Sequence, residues 1–298
     1  MAGKLSPSAL DSLQQHALSL AQQAHDTAPM AVVRGTRVHL QDIETLLLGA
    51  AGWQRVRLHR TAALTALAAT RASRLAGTRY TAALIDKADQ HARDANDGPL
   101  LAQALFYRAR HQGETGYAVD VGTRKGEELL VAALQAAGRH REQRLLRALI
   151  RYELAWEYAA LGETRAALTE LHCADIDGGS AMPRPDVVEV ADGVGRGRRW
   201  AAPCRGAVLR RLARFDEAIA ACTAALVGPP LWRTAAIVDI ARAQAGSGSV
   251  DAAAASLRDA YVLNREAGLE QRQGRVRAVR ATLPDAPAVR QLDDVLEG

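Results

Sequence analysis

Three stretches of this chain repeat one six-position spacing of small and apolar residues, and that regularity limits the folds open to it. In ELAWEYAALGETRAALTELHCADI, residues Ala155, Tyr158, Gly162, Ala167, Leu171 and Ala174 stand 3, 4, 5, 4 and 3 apart. Gly206, Leu209, Ala213, Ala218, Cys222 and Ala225 keep the same spacings, as do Ala241, Gln244, Gly248, Ala253, Leu257 and Ala260. Steps of three and four trace one face of an α-helix, and a turn is due at the glycine that precedes the step of five. The pattern reads as two short helices folded back on each other. Small residues sit where the helices come closest, glycine takes the turn, and a larger apolar residue wedges against the next hairpin.

Composition points the same way. Aromatic residues make up only 4% of the chain, and the strong helix formers Ala, Leu, Arg, Glu and Gln dominate it. With 48% hydrophobic residues over 298 positions, a continuous core is expected and global disorder is not. The expected fold class is all-α.

Helical periodicity also runs through the first half. Leu10, Leu13, Ala17, Leu20, Ala21 and Ala24 share a face that ends before Pro29. A second stripe passes through Ile43, Leu46, Leu47 and Ala50 to Trp53 and Val56, and a third helix spans Leu58 to Leu75 and stops at Gly77. Tyr80 to Ala95 follows, up to a turn near Gly98. Here the template is degenerate, with partial matches at Gly77 with Ala82 or Ala83, and at Ala104 with Tyr107. The last two full copies lie 35 residues apart, the first two 51. The excess is the Gly-, Pro- and charge-rich segment 177–203, expected to be an irregular surface loop. The expected organisation is an N-terminal helix and linker over 1–38 and a single helical repeat domain over 39–298.

These residues resemble tetratricopeptide repeats, helix–turn–helix units of about 34 residues. The resemblance implies a right-handed superhelical solenoid of helical hairpins with a concave groove. The block from Ile43 to Ala95, together with the ending EQRQGRVRAVRATLPDAPAVRQLDDVL, is similar to the C-terminal regulatory half of actinomycete transcription regulators. In that family an Xre-type helix-turn-helix domain precedes the repeats. Residues 1–38 are too few, and wrongly patterned, to hold such a domain, so direct sequence-specific DNA binding is not expected. What the resemblance implies is regulation of gene expression through a separate DNA-binding partner.

Signs of catalysis are few. The eight histidines form no HExxH motif and no i, i+4 pair, so no metal site is expected. His172 and Cys173 are adjacent, which points them apart on a helix and makes a poor nucleophile–base pair. No GxSxG elbow is present, and the glycines at 193, 195 and 197 and at 246 and 248 read as turns rather than cofactor loops. No cofactor is expected. Asp293-Asp294 reads as a solvated pair. Cys173, Cys204 and Cys222 form no CxxC, which argues for free thiols in a reducing compartment. Neither an apolar leader nor a membrane-length run is visible, so the expected location is cytoplasmic.

Binding features are richer. Offsetting the template by about one place selects groove-facing residues on the first helix of each hairpin. These are Leu149, Tyr152, Trp156 and Ala159, then Trp200, Ala207, Arg210 and Arg211, then Arg242. Phe106, Tyr107 and Arg110 extend the set. Aromatic anchors mixed with arginine suit an acidic or carboxylate-bearing peptide or protein segment, or a small-molecule signal with a planar group stacked under guanidinium. The competing reading of Trp156 is core packing. The net charge is +5, nearly all of it from arginine, since lysine occurs only at Lys4, Lys87 and Lys125. Arginines cluster over 196–214, over 272–280 and at Arg141, Arg144, Arg147 and Arg151. Non-specific nucleic-acid binding through these clusters is one alternative function, and an active site recruited into the repeat cavity is another. Because a solenoid's last apolar face must be capped or shared, homodimerisation through a terminal hairpin fits this architecture.

Overall fold

A computed structural model describes residues 5–26, 28–112, 114–115, 118–119, 122–179, 186–188, 201–227 and 230–297. The described chain is all-α apart from one two-residue antiparallel pairing, β1 (Glu114–Thr115) with β2 (Ala118–Val119). It divides into two compact units. Unit 1 comprises residues 1–111, 128–150 and 181–194, and unit 2 comprises 112–127, 151–180 and 195–298. No described helix is long and apolar enough to cross a membrane.

Unit 1 is built around α3 (Gly52–Leu75), against which α1 (Pro7–Asp26), α2 (Pro29–Leu47) and α4 (Thr81–Asp94) pack. Helix α2 runs without a break through residues 38 and 39. From Thr61 to Leu75 every residue of α3 is buried, which is the signature of a helix surrounded by others. Alanine makes this close approach possible. Threonine fits because its hydroxyl bonds to its own helix: Thr61, Thr65 and Thr70 donate to the carbonyls of Arg57, Thr61 and Ala66 at 3.0, 2.8 and 2.8 Å. Gly77 turns the chain at φ +65°, and Ser73 meets Thr81 at 3.0 Å across the resulting hairpin. The next turn, near Gly98, is made at Asn96, with φ +50°. Gly98 instead opens α5 (Gly98–Gln112), and an added Cβ there would run into the carbonyl of Ala136 on α6 (Arg124–Ala137).

Of the expected loop over 177–203, residues 177–179 belong to α8 (Thr164–Gly179) and 201–203 to α9 (Ala201–Arg211). Between them only 186–188 are described, and this piece is anchored. The Gln103 amide on α5 donates to the Asp186 carbonyl at 2.8 Å and accepts from the Val188 N–H at 2.9 Å, while Val187 and Val188 are buried.

Unit 2 is a run of helices, each packed on its sequence neighbours. Helix α9 touches α10 (Phe215–Thr223) and α11 (Pro230–Gly246). Helix α11 touches α12 (Val250–Glu266) and α13 (Glu270–Arg280), and α12 touches α13 and α14 (Pro287–Glu297). The repeated template accounts for the close contacts. Ala155, Ala167, Leu171 and Ala174 are buried, as are Gly206, Leu209, Ala218, Cys222 and Ala225, and Ala241, Ala253, Leu257 and Ala260. The three turn positions share one backbone geometry: Gly162, Ala213 and Gly248 have φ of +80°, +57° and +85°. After each, the next N–H returns to the carbonyl five residues back, Glu163 to Tyr158, Arg214 to Leu209 and Ser249 to Gln244, at 2.8 to 2.9 Å. These are Schellman caps.

Candidate functional site

Helix α7 (Arg144–Ala160) carries the groove residues expected at 149–159. Three of the four are core: Leu149, Tyr152 and Ala159 are all buried. The Tyr152 hydroxyl donates to Asp175 on α8 at 2.6 Å, and Arg205 on α9 pairs with the other oxygen of that carboxylate. Burial, with the Asp175 carboxylate beside it, holds the phenol above its ordinary range and keeps it a donor. Tyr152 is therefore a buried link between helices and not a groove anchor. The stripe pattern alone could not tell these roles apart, because in a layered array both faces of such a helix are apolar.

Trp156 is half-buried. One part of it packs against the core that includes Tyr152, Ala155 and Leu209, and the Arg211 guanidinium lies 5.1 Å from its ring centroid. Arg210 and Arg242 approach the same carboxylate, Asp239 on α11, at 3.8 Å each. Four of the expected residues thus form two local groups, Trp156 with Arg211 and Arg210 with Arg242. Trp200 lies outside the described residues. Phe106 and Tyr107 belong to unit 1 and are corrected to core positions. Helix α5 is buried on all sides from Ala102 to Tyr107, with the Arg74 guanidinium 5.7 Å from the Tyr107 ring and Arg110 over Phe106 at 5.4 Å.

The basic clusters meet acids, carbonyls or aromatic side chains wherever their partners are seen. Arg151 binds Glu170 at 2.6 Å and Asp177 at 3.2 Å, and Arg147 caps the carbonyls of Gly138 and His140. Arg277 donates to the Tyr261 hydroxyl at 2.9 Å. Arg280 grips Asp293 through two 2.5 Å bonds that hold this carboxyl below its usual range, so Asp293 is not merely solvated. Arg196, Arg198 and Arg199 lie outside the described residues.

Two groups of titratable residues emerge that the sequence alone did not reveal. The first is Glu157, 2% exposed on α7, which accepts the Thr123 N–H at 2.8 Å at the start of α6. Thr123 caps that helix through the Gly126 N–H at 2.8 Å, and Glu157 supplies from another helix the carboxylate that a capping box carries at its fourth position. Burial, reinforced by nearby Glu153, pushes the Glu157 carboxyl up to about 7, against the opposing pull of the Thr123 N–H and Arg211.

The second group joins α3 and α4. His59 Nδ1 lies 3.0 Å from His91 Nδ1 and 3.7 Å from Asp94 Oδ2, and one atom from each residue falls within 4.8 Å of the others. Glu44 on α2 stands 3.6 Å from His91 Nε2 and pairs with Lys87. Gln90 donates to both Asp94 oxygens at 3.1 Å. Burial lowers the affinity of both imidazoles for protons. The facing ring adds to this at His59, and Glu44 opposes it at His91. The sequence held one trace of the group: His59 and His91 lie on opposite arms of the hairpin that turns at Gly77. Compared with known proteins, the chain matches no family model and no curated protein.

Proposed function

We propose that the chain is a tetratricopeptide-like interaction module, non-enzymatic, that takes an acidic segment of a partner protein on unit 2. Three things support the repeat reading: the six-position template, the shared left-handed turns, and the packing of α9 on α10 and α11, of α11 on α12 and α13, and of α12 on α13 and α14. The observation that carries the binding reading is Trp156 stacked with Arg211. These two residues come from successive hairpins, and together they offer an aromatic face and a guanidinium to one ligand. Arg210 and Arg242, around Asp239, lie on the first helices of the next two hairpins, where such an array forms its groove. The likeness to regulatory halves of transcription regulators makes a DNA-binding partner the expected source of the acidic segment.

The test is a titration of the full chain with a fluorescent Asp/Glu-rich decapeptide at two salt concentrations. Saturable binding that weakens with salt, and that falls at least tenfold in Trp156→Ala and in Arg211→Glu, supports the reading. Equal binding by wild type and both variants, or none by wild type, overturns it. Native mass spectrometry of the chain from its own host adds a second readout. A small-molecule mass that remains after desalting, with no bound polypeptide, replaces the peptide with a small signal.

A further inference from the structure

We infer that His59, His91 and Asp94 form a binding site for one divalent transition-metal ion, with Zn²⁺ the best-matched ion. The argument begins with geometry. Two nitrogens bound to one zinc at about 2.0–2.1 Å are separated by roughly 2.9–3.4 Å across bond angles between square and tetrahedral. The two Nδ1 atoms lie 3.0 Å apart, with Asp94 Oδ2 at 3.7 Å from the first of them. Without an ion, the short contact needs one ring to donate a proton to the lone pair of the other. With an ion, both lone pairs turn onto it, and very little else has to move.

The surroundings fit a ligand set as well. His91 and Asp94 are three residues apart on α4 and so share a face, and His59 comes from the facing helix α3. Metal-bound histidines usually direct their second nitrogen at a carboxylate. His91 Nε2 faces Glu44 in this way, and Lys87 fixes Glu44. Gln90 orients the Asp94 carboxylate from the turn before it. Two imidazoles and one carboxylate suit zinc, copper or nickel better than calcium or magnesium, which prefer all-oxygen shells. Both histidine side chains are largely buried, at 10% and 11% exposure, while that of Asp94 is 39% exposed, so an ion enters from the Asp94 side. Three protein ligands leave a coordination position for water or an incoming donor. The site lies wholly in unit 1 and is independent of the proposed peptide surface.

The experiment uses the full, untagged chain, stripped with a chelator and dialysed against Zn²⁺ alone. One bound ion per chain is expected, with an affinity that falls at least tenfold in His91→Ala and in Asp94→Asn. Asp94 is a surface residue, so Asp94→Asn preserves the fold and shows an unchanged apo melting temperature. Long-range ¹H–¹⁵N spectra of the wild type then identify the ligands without any substitution: the Nδ1 resonances of two histidines, His59 and His91, shift on adding one equivalent. Failure to bind Zn²⁺, Cu²⁺ or Ni²⁺ at micromolar concentration overturns the inference. So does binding that shifts other histidines or is unaltered in Asp94→Asn.

Discussion

Ala213 occupies the position that glycine holds in the two other template turns. All three are left-handed, at φ of +80°, +57° and +85° for Gly162, Ala213 and Gly248, and a Cβ there crowds the following carbonyl. The Schellman bonds form at Ala213 as they do at the glycines, so the hairpin tolerates this strain rather than avoiding it. Ala213→Gly is expected to stabilise the chain by about 0.5–1 kcal/mol, the relief of strain exceeding the entropy that glycine adds to the unfolded state. Gly162→Ala and Gly248→Ala are expected to destabilise it by about 1 kcal/mol each. Urea midpoints of the three variants at constant slope check both signs. The turn positions were legible in the sequence because glycine and the step of five mark them locally. The tie from Tyr152 to Asp175 was not, since spacing places Tyr152 on a helix face without showing what lies opposite.

Among elements, the α9–α10 hairpin shows why the template demands small residues. A Cβ added at Gly206 would overlap Cys222 Sγ and come within 3.1 Å of the Ala218 carbonyl. Helix α10 thus lies in direct contact with the backbone of α9, and Cys222, fully buried there, has its thiol pushed above its ordinary range by burial. Gly206→Ala is expected to cost about 1–3 kcal/mol through overpacking, even though alanine is the better helix former. The companion Gly206→Ala/Cys222→Ala variant should recover part of that loss, because the sulfur that clashes is gone. Thermal melts of the single and double variants measure the coupling. At this scale both ends of α1 and the end of α3 before Gly77 were legible in the sequence, but the start of α3 was not: it begins at Gly52 and takes in Trp53 and Val56, which the stripe from Ile43 had claimed. The docking of Val187 and Val188 by Gln103 was not, for Gln103 lies more than eighty residues away in the chain and nothing local marks it as a clamp. The same holds for His59 and His91, which come together only when α3 and α4 pair.

For the whole molecule, stability against pH is set by groups working in opposite directions. Glu157 is protonated in the folded state up to about pH 7, whereas it ionises in the unfolded chain near its ordinary value of 4.5. Between those values the folded state holds more protons, so its contribution is complete below about pH 4.5 and is lost as pH rises through 7. His39, His59 and His91, lowered chiefly by burial, act the other way: their contribution is lost as pH falls below 6.5. The difference between wild type and Glu157→Gln isolates the carboxyl, since glutamine keeps the acceptor for the Thr123 N–H. The variant is expected to gain on wild type by about 3 kcal/mol between pH 4.5 and pH 8. Denaturant titrations at half-unit pH steps trace that gain, and parallel curves would remove Glu157 from the account.

The interleaving of the two units has a consequence for how the chain is made. Unit 1 takes its last piece from 181–194, so a ribosome must release residue 194 of 298 before that unit has all its parts. At synthesis rates of about 5–20 residues per second, helices α1 to α4 wait on the order of ten seconds for the valines that Gln103 will hold. During that wait the Gln103 amide lacks the Asp186 carbonyl and the Val188 N–H that satisfy it in the finished chain.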